Sequence, residues 1–283
     1  MRSTSFARPF FLCAALSTAA LLSTSLPATP HAELLEDRAT LDAQIPASEH
    51  PAPLFLERSG IHRELGDLDA ALLDLQRALR FGADIGEVSL GRAEVRMSQG
   101  DFLAAEKEAS TALKADPMNG DAQAVRARSR MARGLYQLAA DDFGGAATLV
   151  PRRSLDLAYE RAEAFAALPG DGRVRALGVI EREIETRGPA SSLLLMAFEH
   201  ERALGRYGAA LKRLDTLRDQ GWSAGRYGLL RGDVLKESQD LDAAKTAWKA
   251  GLDGLDLMPN RRRTTRAALR LRAELIARLE DNQ

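Results

Sequence analysis

From residue 66 to residue 151 the chain restates itself at a fixed interval of 34 residues, and that interval constrains its fold more than any bulk property does. Gly66, Gly100 and Gly134 stand in register, as do Ala71, Ala105 and Ala139, then Ala78, Ala112 and Ala146, then Ala83, Pro117 and Pro151. Four columns holding phase over three units exceed what an alanine-rich composition supplies by chance. A period of this length marks a supersecondary unit that cannot bury its apolar face alone, so neighbouring units must stack.

Each column has a physical reason. The glycine suits a tight turn between two helices, where a positive φ is easy only for glycine. The alanines mark places where helices approach too closely for larger side chains. One helical turn beyond the first alanine stands a large apolar residue, Leu75, Phe143, Leu214 or Trp248, with Ala109 the exception. A spacing of four puts both on one face. Proline closes the second helix. The half-unit returns in GRYGAALKRL from Gly205 and in QDLDAAKTAWKAGL from Gln239, where glutamine stands at the turn. First helices share a second signature, an arginine before a small residue: Arg58-Ser59, Arg92-Ala93, Arg126-Ala127, Arg161-Ala162 and Arg231-Gly232, broken by Ala197-Phe198.

This pattern resembles the tetratricopeptide repeat family, whose unit carries a turn glycine, an A-x3-F step and a closing proline. The resemblance implies an all-α protein, a right-handed superhelical solenoid of about six helical hairpins. The units expected within 52–260 are 52–85, 86–119, 120–153, 154–189, 190–223 and 224–257. PGDG at 169–172 lengthens the fourth turn by two or three residues and leaves its register open. Over 261–283, Ala268, Leu271, Leu275 and Leu279 form one apolar stripe, which predicts a capping helix over the last apolar face. Residues 33–51 carry no repeat mark and predict a short helix or a disordered lead-in without functional signal. The family's W-x2-L-G-x2-Y first-helix pattern is poorly kept: Arg92 and Arg126 replace leucine, and Arg96 and Arg130 replace tyrosine. Their stems are expected to lie along the helix junction, with the guanidinium groups reaching water or an acid.

The N-terminus departs from this soluble character. Arg2 and Arg8 precede FFLCAALSTAALLSTSL at 10–26, followed by Pro27, Ala28, Pro30 and Ala32, the layout of a signal peptide over 1–32 cut after Ala28 or Ala32. The apolar run falls short of the roughly 20 residues of a spanning helix, although an uncleaved inner-membrane tether is the alternative. Cys13 lacks the small preceding residue of a lipid-attachment site. The mature chain would hold no cysteine, hence no disulfide or thiolate site, and export without disulfides suggests the periplasm, or secretion. Cleavage would also move the formal charge from -1 to -3, because it removes Arg2 and Arg8 and no acid. Nothing in that balance favours nucleic acid, and nothing after the leader favours stable membrane insertion.

Catalytic motifs fail on context. Gly221-Trp222-Ser223-Ala224-Gly225 fits G-x-S-x-G, but a helical pattern precedes it, and His31, His50, His62 and His200 all lie upstream, where the hydrolase order cannot use them. Phe198-Glu199-His200-Glu201 offers one histidine where zinc hydrolases need two on a face. Asp67, Asp69 and Asp253-Gly254 lack the ligands of a calcium loop, and Gly170-Asp171-Gly172 follows no strand. The sequence therefore predicts no enzyme, no metal and no cofactor.

A surface remains. In the family the first helices line a concave groove that holds a peptide or a partner's helix. Its stripe maps onto Leu56, Leu90, Ala124, Tyr159, Leu195 and Leu229, and one turn on onto Gly60, Glu94, Arg128, Glu163, Glu199 and Asp233. The first row is apolar and the second mostly acidic, which predicts a basic, partly apolar protein segment as partner. The function implied is a non-catalytic periplasmic adaptor; the alternative is a structural subunit of a larger envelope assembly, docking by its convex face or its Arg261–Arg272 face. Intact mass of the chain isolated from the periplasmic fraction is expected to correspond to a start at residue 29 or 33, and a mass retaining Met1 to Cys13 would sink the export reading.

Overall fold

A computed structural model describes residues 30–282, so most of the expected signal peptide, residues 1–29, lies outside the described residues. Helix α1 (Pro30–Gln44) leads through a short 3-10 turn, Ile45–Ala47, into α2 (Ala52–Glu64) and α3 (Leu68–Arg80). There follow α4 (Ile85–Ser98), α5 (Phe102–Ala115), α6 (Gly120–Ala132) and α7 (Tyr136–Leu149). After a 3-10 turn at Pro151–Arg153 come α8 (Ser154–Ala166), α9 (Gly172–Arg187), α10 (Ser191–Ala203) and α11 (Tyr207–Asp219). The chain ends in α12 (Ala224–Glu237), α13 (Leu241–Asp256), the single turn α14 (Asn260–Arg263) and α15 (Arg266–Glu280). No strand occurs among the described residues. From α2 to α13 each helix packs chiefly on its sequence neighbours, pairing α2 with α3, α4 with α5, and so on to α12 with α13. This is the neighbour-only packing of an α-solenoid.

The turn column is where the backbone is most tightly specified. Gly66, Gly100, Gly134 and Gly205 all have positive φ, and so does Gln239 at +68°, alone among the described non-glycine residues. The hairpin therefore keeps its left-handed turn even where glutamine must adopt it. In five hairpins three residues separate the helices; in the pair α8 and α9 there are five, 167–171, and the positive φ falls at Gly170. That places the register of the PGDG segment: Ala176 and Ile180, both fully buried, take the small-x3-large positions. Gly172 opens α9 because a Cβ there would lie 2.3 Å from the Phe165 carbonyl oxygen.

The alanine columns are the contacts that hold the hairpins shut. Ala71, Ala105, Ala139, Ala210 and Ala244 are fully buried, as are Ala78, Ala112 and Ala146. The large partners Leu75, Phe143, Leu214 and Trp248 are at most 1% exposed. At the exception, Ala109, the cluster with Ala93 and Val125 is filled by Leu90 and Met97 from α4. Gly232 keeps the small position because a Cβ would fall 2.3 Å from Trp248 Nε1.

Of the arginines that break the family pattern, Arg126, Arg130 and Arg96 are paired internally, and Arg58 of the first unit is paired in the same way. Arg58 donates from Nε and Nη2 to buried Asp74 at 2.7 and 2.8 Å, and Arg126 does the same to buried Asp142 at 2.9 and 2.7 Å. Arg130 bridges Asp142 at 2.7 Å and Glu106 at 2.9 Å, while Arg96 reaches Gln99 Oε1 at 2.8 Å. Both ends are covered. Helix α1 packs on α2, burying Leu41 and setting Asp42 2.5 Å from Arg58. At the other end α15 inserts Leu275 against Leu229, Trp248 and Leu255, flanked by Leu271 and Leu279.

Replacing Ala105 or Ala139 by Leu should force its hairpin apart and cost roughly 1–3 kcal/mol, read as a lower melting temperature, whereas Ala47→Leu, at an exposed site, should be neutral. Equal melting temperatures for all three would place these alanines away from the contact.

Candidate binding groove

Successive first helices touch directly, α2 on α4 and α4 on α6, as elements on the inner side of a curve do. They are also stapled by side chains: Arg63 to Glu94 at 3.5 Å, Arg128 to Glu160 at 2.6 and 2.7 Å, Tyr159 to Ser192 at 2.9 Å, and Arg202 to Glu237 at 2.5 and 2.8 Å. The face expected to carry the groove is thus continuous, yet its residues do not all play one part.

At the N-terminal end four expected positions meet. Leu56, Gly60, Leu90 and Glu94 line one cavity of about 280 Å3, with Leu75 as floor and Glu87 at its edge. A neighbouring cavity of about 490 Å3 shares Leu56 and Glu87 and adds Glu49, His50, Pro51, Pro53, Phe81 and Asp84. Together they make one apolar trough with acids on its rim. Phe81 is 54% exposed, its ring stacked on Phe55 at 5.6 Å. Partial burial raises the Glu94 carboxyl above its ordinary range, against the pull of Arg63. Half of this trough comes from residues 49–53, at the junction of the lead-in and the first unit, and from 81–84, the link that closes that unit; none of these positions belongs to the groove stripe read from the sequence.

Further along, the expected residues are put to structural use or stand apart. Ala124 is buried. Arg128 is taken up by Glu160 and Tyr159 by Ser192. Leu195 packs beside Leu194 and Phe198, and Leu229 is covered by Trp248 and Leu275. Asp233 accepts from Trp248 Nε1 at 3.2 Å and from Arg278 Nε at 2.9 Å, so α15 neutralises it. Glu163 and Glu199 are exposed.

A larger cavity, about 830 Å3, lies between α12 and α13 over Trp222, Tyr227, Ala243, Ala247 and Gly251, with Arg218, Arg231 and Asp240 on its rim. At its edge Gly228 and Gly251 let the two helices touch: a Cβ on Gly228 would sit 2.6 Å from Gly251 Cα. Arg231 and Tyr227 both reach Asp215, at 3.1 and 2.6 Å.

The residues that mimic hydrolase and metal motifs stand on separate helices. Ser223 is the N-cap of α12, its hydroxyl accepting from Arg226 N at 3.4 Å. His200 is buried in α10 with neither ring nitrogen hydrogen-bonded. Beside it Glu201 accepts from Arg213 Nη2 at 3.2 Å. Among the described residues no group of three His, Cys, Asp or Glu is placed to hold a metal ion, and no helix is long and apolar enough to cross a membrane.

No protein-family model matches the chain, and no curated protein matches it. Solved structures do. The C-terminal part of a TPR repeat-containing protein from Cytophaga hutchinsonii superposes with a TM-score of 0.62 at 14% identity, over 84% of this chain and 94% of that one. A tetratricopeptide repeat protein from Parabacteroides merdae gives 0.51 at 16% identity, over 86% and 93%. The fold is that of the tetratricopeptide repeat. A chain of the Naa15/Naa10 complex bound to HypK-THB is also similar, at a TM-score of 0.50 and 16% identity, over 89% of this chain and 40% of that chain. In tetratricopeptide-repeat terms the trough lies on the first helices of the first two hairpins, and the larger cavity lies within the last hairpin.

Burial, and then Arg173, push the His200 imidazole below its ordinary value. Its neutral form is therefore favoured by folding: the unfolded chain binds the extra proton, so stability is complete above the unfolded value of about 6.5 and is lost as pH falls below it. Thermal melts between pH 8 and pH 5 should show a smaller acid loss in His200→Leu than in the unsubstituted chain. An unchanged slope would mean that His200 already titrates in the fold as it does in water.

Proposed function

We propose that this chain is a non-catalytic adaptor of the periplasm, exported by a cleaved signal peptide, that holds a basic, partly apolar segment of a protein partner in its N-terminal trough. The observation that carries the reading is the convergence of Leu56, Leu90 and Phe81 with Glu49, Glu87 and Glu94 on one open surface. An apolar floor gains from burying side chains, and an acidic rim selects and steers a cationic one. Glu49 and Glu87 have no ion-pair partner among the described residues, unlike Asp74 and Asp142, whose charge is spent inside the fold. The likeness to a chain of a protein complex supports an interaction role, and the capping duty of Ser223 speaks for structure over catalysis. Export is supported by the order of basic, apolar and small residues before Ala32.

Fluorescence anisotropy with labelled synthetic peptides tests the groove. A peptide alternating arginine and leucine should bind, and one alternating glutamate and leucine should not. Glu87→Lys combined with Glu94→Gln should weaken the arginine peptide by about tenfold or more and flatten its salt dependence, with circular dichroism unchanged. Equal affinity for both peptides, or binding indifferent to the double variant, would move the site elsewhere on the solenoid.

A further inference from the structure

The two ends of the solenoid are electrically opposite. Between Glu33 and Arg96 thirteen acids stand against seven arginines, whereas from Leu257 to Gln283 seven arginines stand against three acids. The stretch between, 97–256, is balanced, with 23 basic and 24 acidic residues. A chain of nearly zero net charge is therefore a dipole along its length.

The basic end is not merely solvated charge. Arg270 is paired with Glu274, Arg272 with Asp256 and Arg278 with Asp233, but among the described residues no carboxylate lies within ion-pair reach of Arg261, Arg262 or Arg266. Just before them in the chain stands Leu257, at 87% the most exposed large apolar side chain described. Leu257 to Arg266 is thus a basic, partly apolar segment displayed on a structured end. That is the chemistry the trough at the other end selects: an apolar floor under Glu49, Glu87 and Glu94.

We infer that the partner is a second copy of this chain, the segment Leu257–Arg266 of one molecule seating in the N-terminal trough of the next. The inference rests on the groove reading above and names its occupant. Leu257 would leave water against Phe81 and Leu56, while the free arginines meet Glu49 and Glu87, which have no ion-pair partner among the described residues. Because the two surfaces differ and sit at opposite ends, the contact is head-to-tail, and each added molecule presents a fresh trough or a fresh basic end. Assembly is then open-ended rather than a closed dimer, and it weakens with salt because the rim charges are exposed.

Sedimentation velocity on the full mature chain decides it. Association should grow with concentration at low ionic strength, pass beyond dimer, and fade as salt is raised. Glu49→Lys with Glu87→Lys should leave monomers, and so should Arg261→Glu, Arg262→Glu and Arg266→Glu together, each raising the dissociation constant by about tenfold or more. Mixing the two variants should restore association, since each supplies the surface the other lacks; a misfolded variant could not do this. A wild-type chain that stays monomeric at about 1 mM and low salt, or a mixture that stays monomeric, overturns self-assembly. The arginine–leucine peptide, titrated into the same wild-type sample, separates the two ideas: if it binds a monomeric chain, the groove stands and the second copy does not, and if it too fails, the groove reading falls.

Discussion

Everything in this molecule depends on how closely two helices of a hairpin can approach at an alanine. A Cβ methyl is the largest group that fits between the paired helices at Ala71, Ala105, Ala139, Ala210 and Ala244, all without exposed surface. That approach lets the large residue one turn later, from Leu75 to Trp248, enter the groove of the partner helix. The positive-φ turn follows from it. Helices so close, joined by three residues, need one residue in the left-handed region, and at Gln239 the protein accepts the cost of placing a side chain there. The contact dictates the turn, and glycine is only its cheapest occupant.

The arginines add a second tie within the hairpins. With alanine at so many contact positions, two of the hairpins are also joined by a bidentate arginine–aspartate pair. Arg58 with Asp74 and Arg126 with Asp142 share the same spacing of 16 residues. Replacing both members by well-packed apolar residues could be as stable, but removing only the acid leaves buried guanidinium groups uncompensated. Arg161 is the instructive departure. Leucine stands 16 residues on, no acid meets its Nε, and its guanidinium lies instead over the Phe165 ring at 5.3 Å. Burial then depresses its pKa.

Fold class was legible in the sequence because period and turn chemistry agree: glycine at the turn, alanine five residues on, a large residue four later. Even Gln239 could be read as a turn by position. The destinations of the arginines were legible only as a type, stems along the junction with heads on water or an acid; a spacing of 16 gives the acid for Arg58 and Arg126, whereas Arg130 reaches Glu106 and Asp142 at other spacings and Arg96 reaches Gln99. The groove was read in part. Leu56, Gly60, Leu90 and Glu94 do converge, but the cavity beside them is made by the lead-in and by the link after α3, where the first-helix stripe does not reach. Asp233 sat in the acidic row by counting, yet α15 crosses over it and Arg278 claims it. A periodic pattern describes interior units and says nothing of what a terminal helix covers.

That asymmetry between interior and ends explains where recognition can reside. In the middle of the solenoid several charges are paired between units, Arg128 with Glu160, Arg130 with Glu106, Arg202 with Glu237, although Glu163 and Glu199 stay exposed. Each such staple fixes one unit on the next and cancels the field it would otherwise project. The first and last hairpins are faced by α1 and α15 rather than by another hairpin, and beside them some charges are left over, acids by the first hairpins and arginines by the last. A stacked fold must terminate somewhere, and the termini of this one carry unspent charge of opposite sign beside uncovered apolar side chains. Binding capacity then follows from how the repeat stops as much as from the repeat itself.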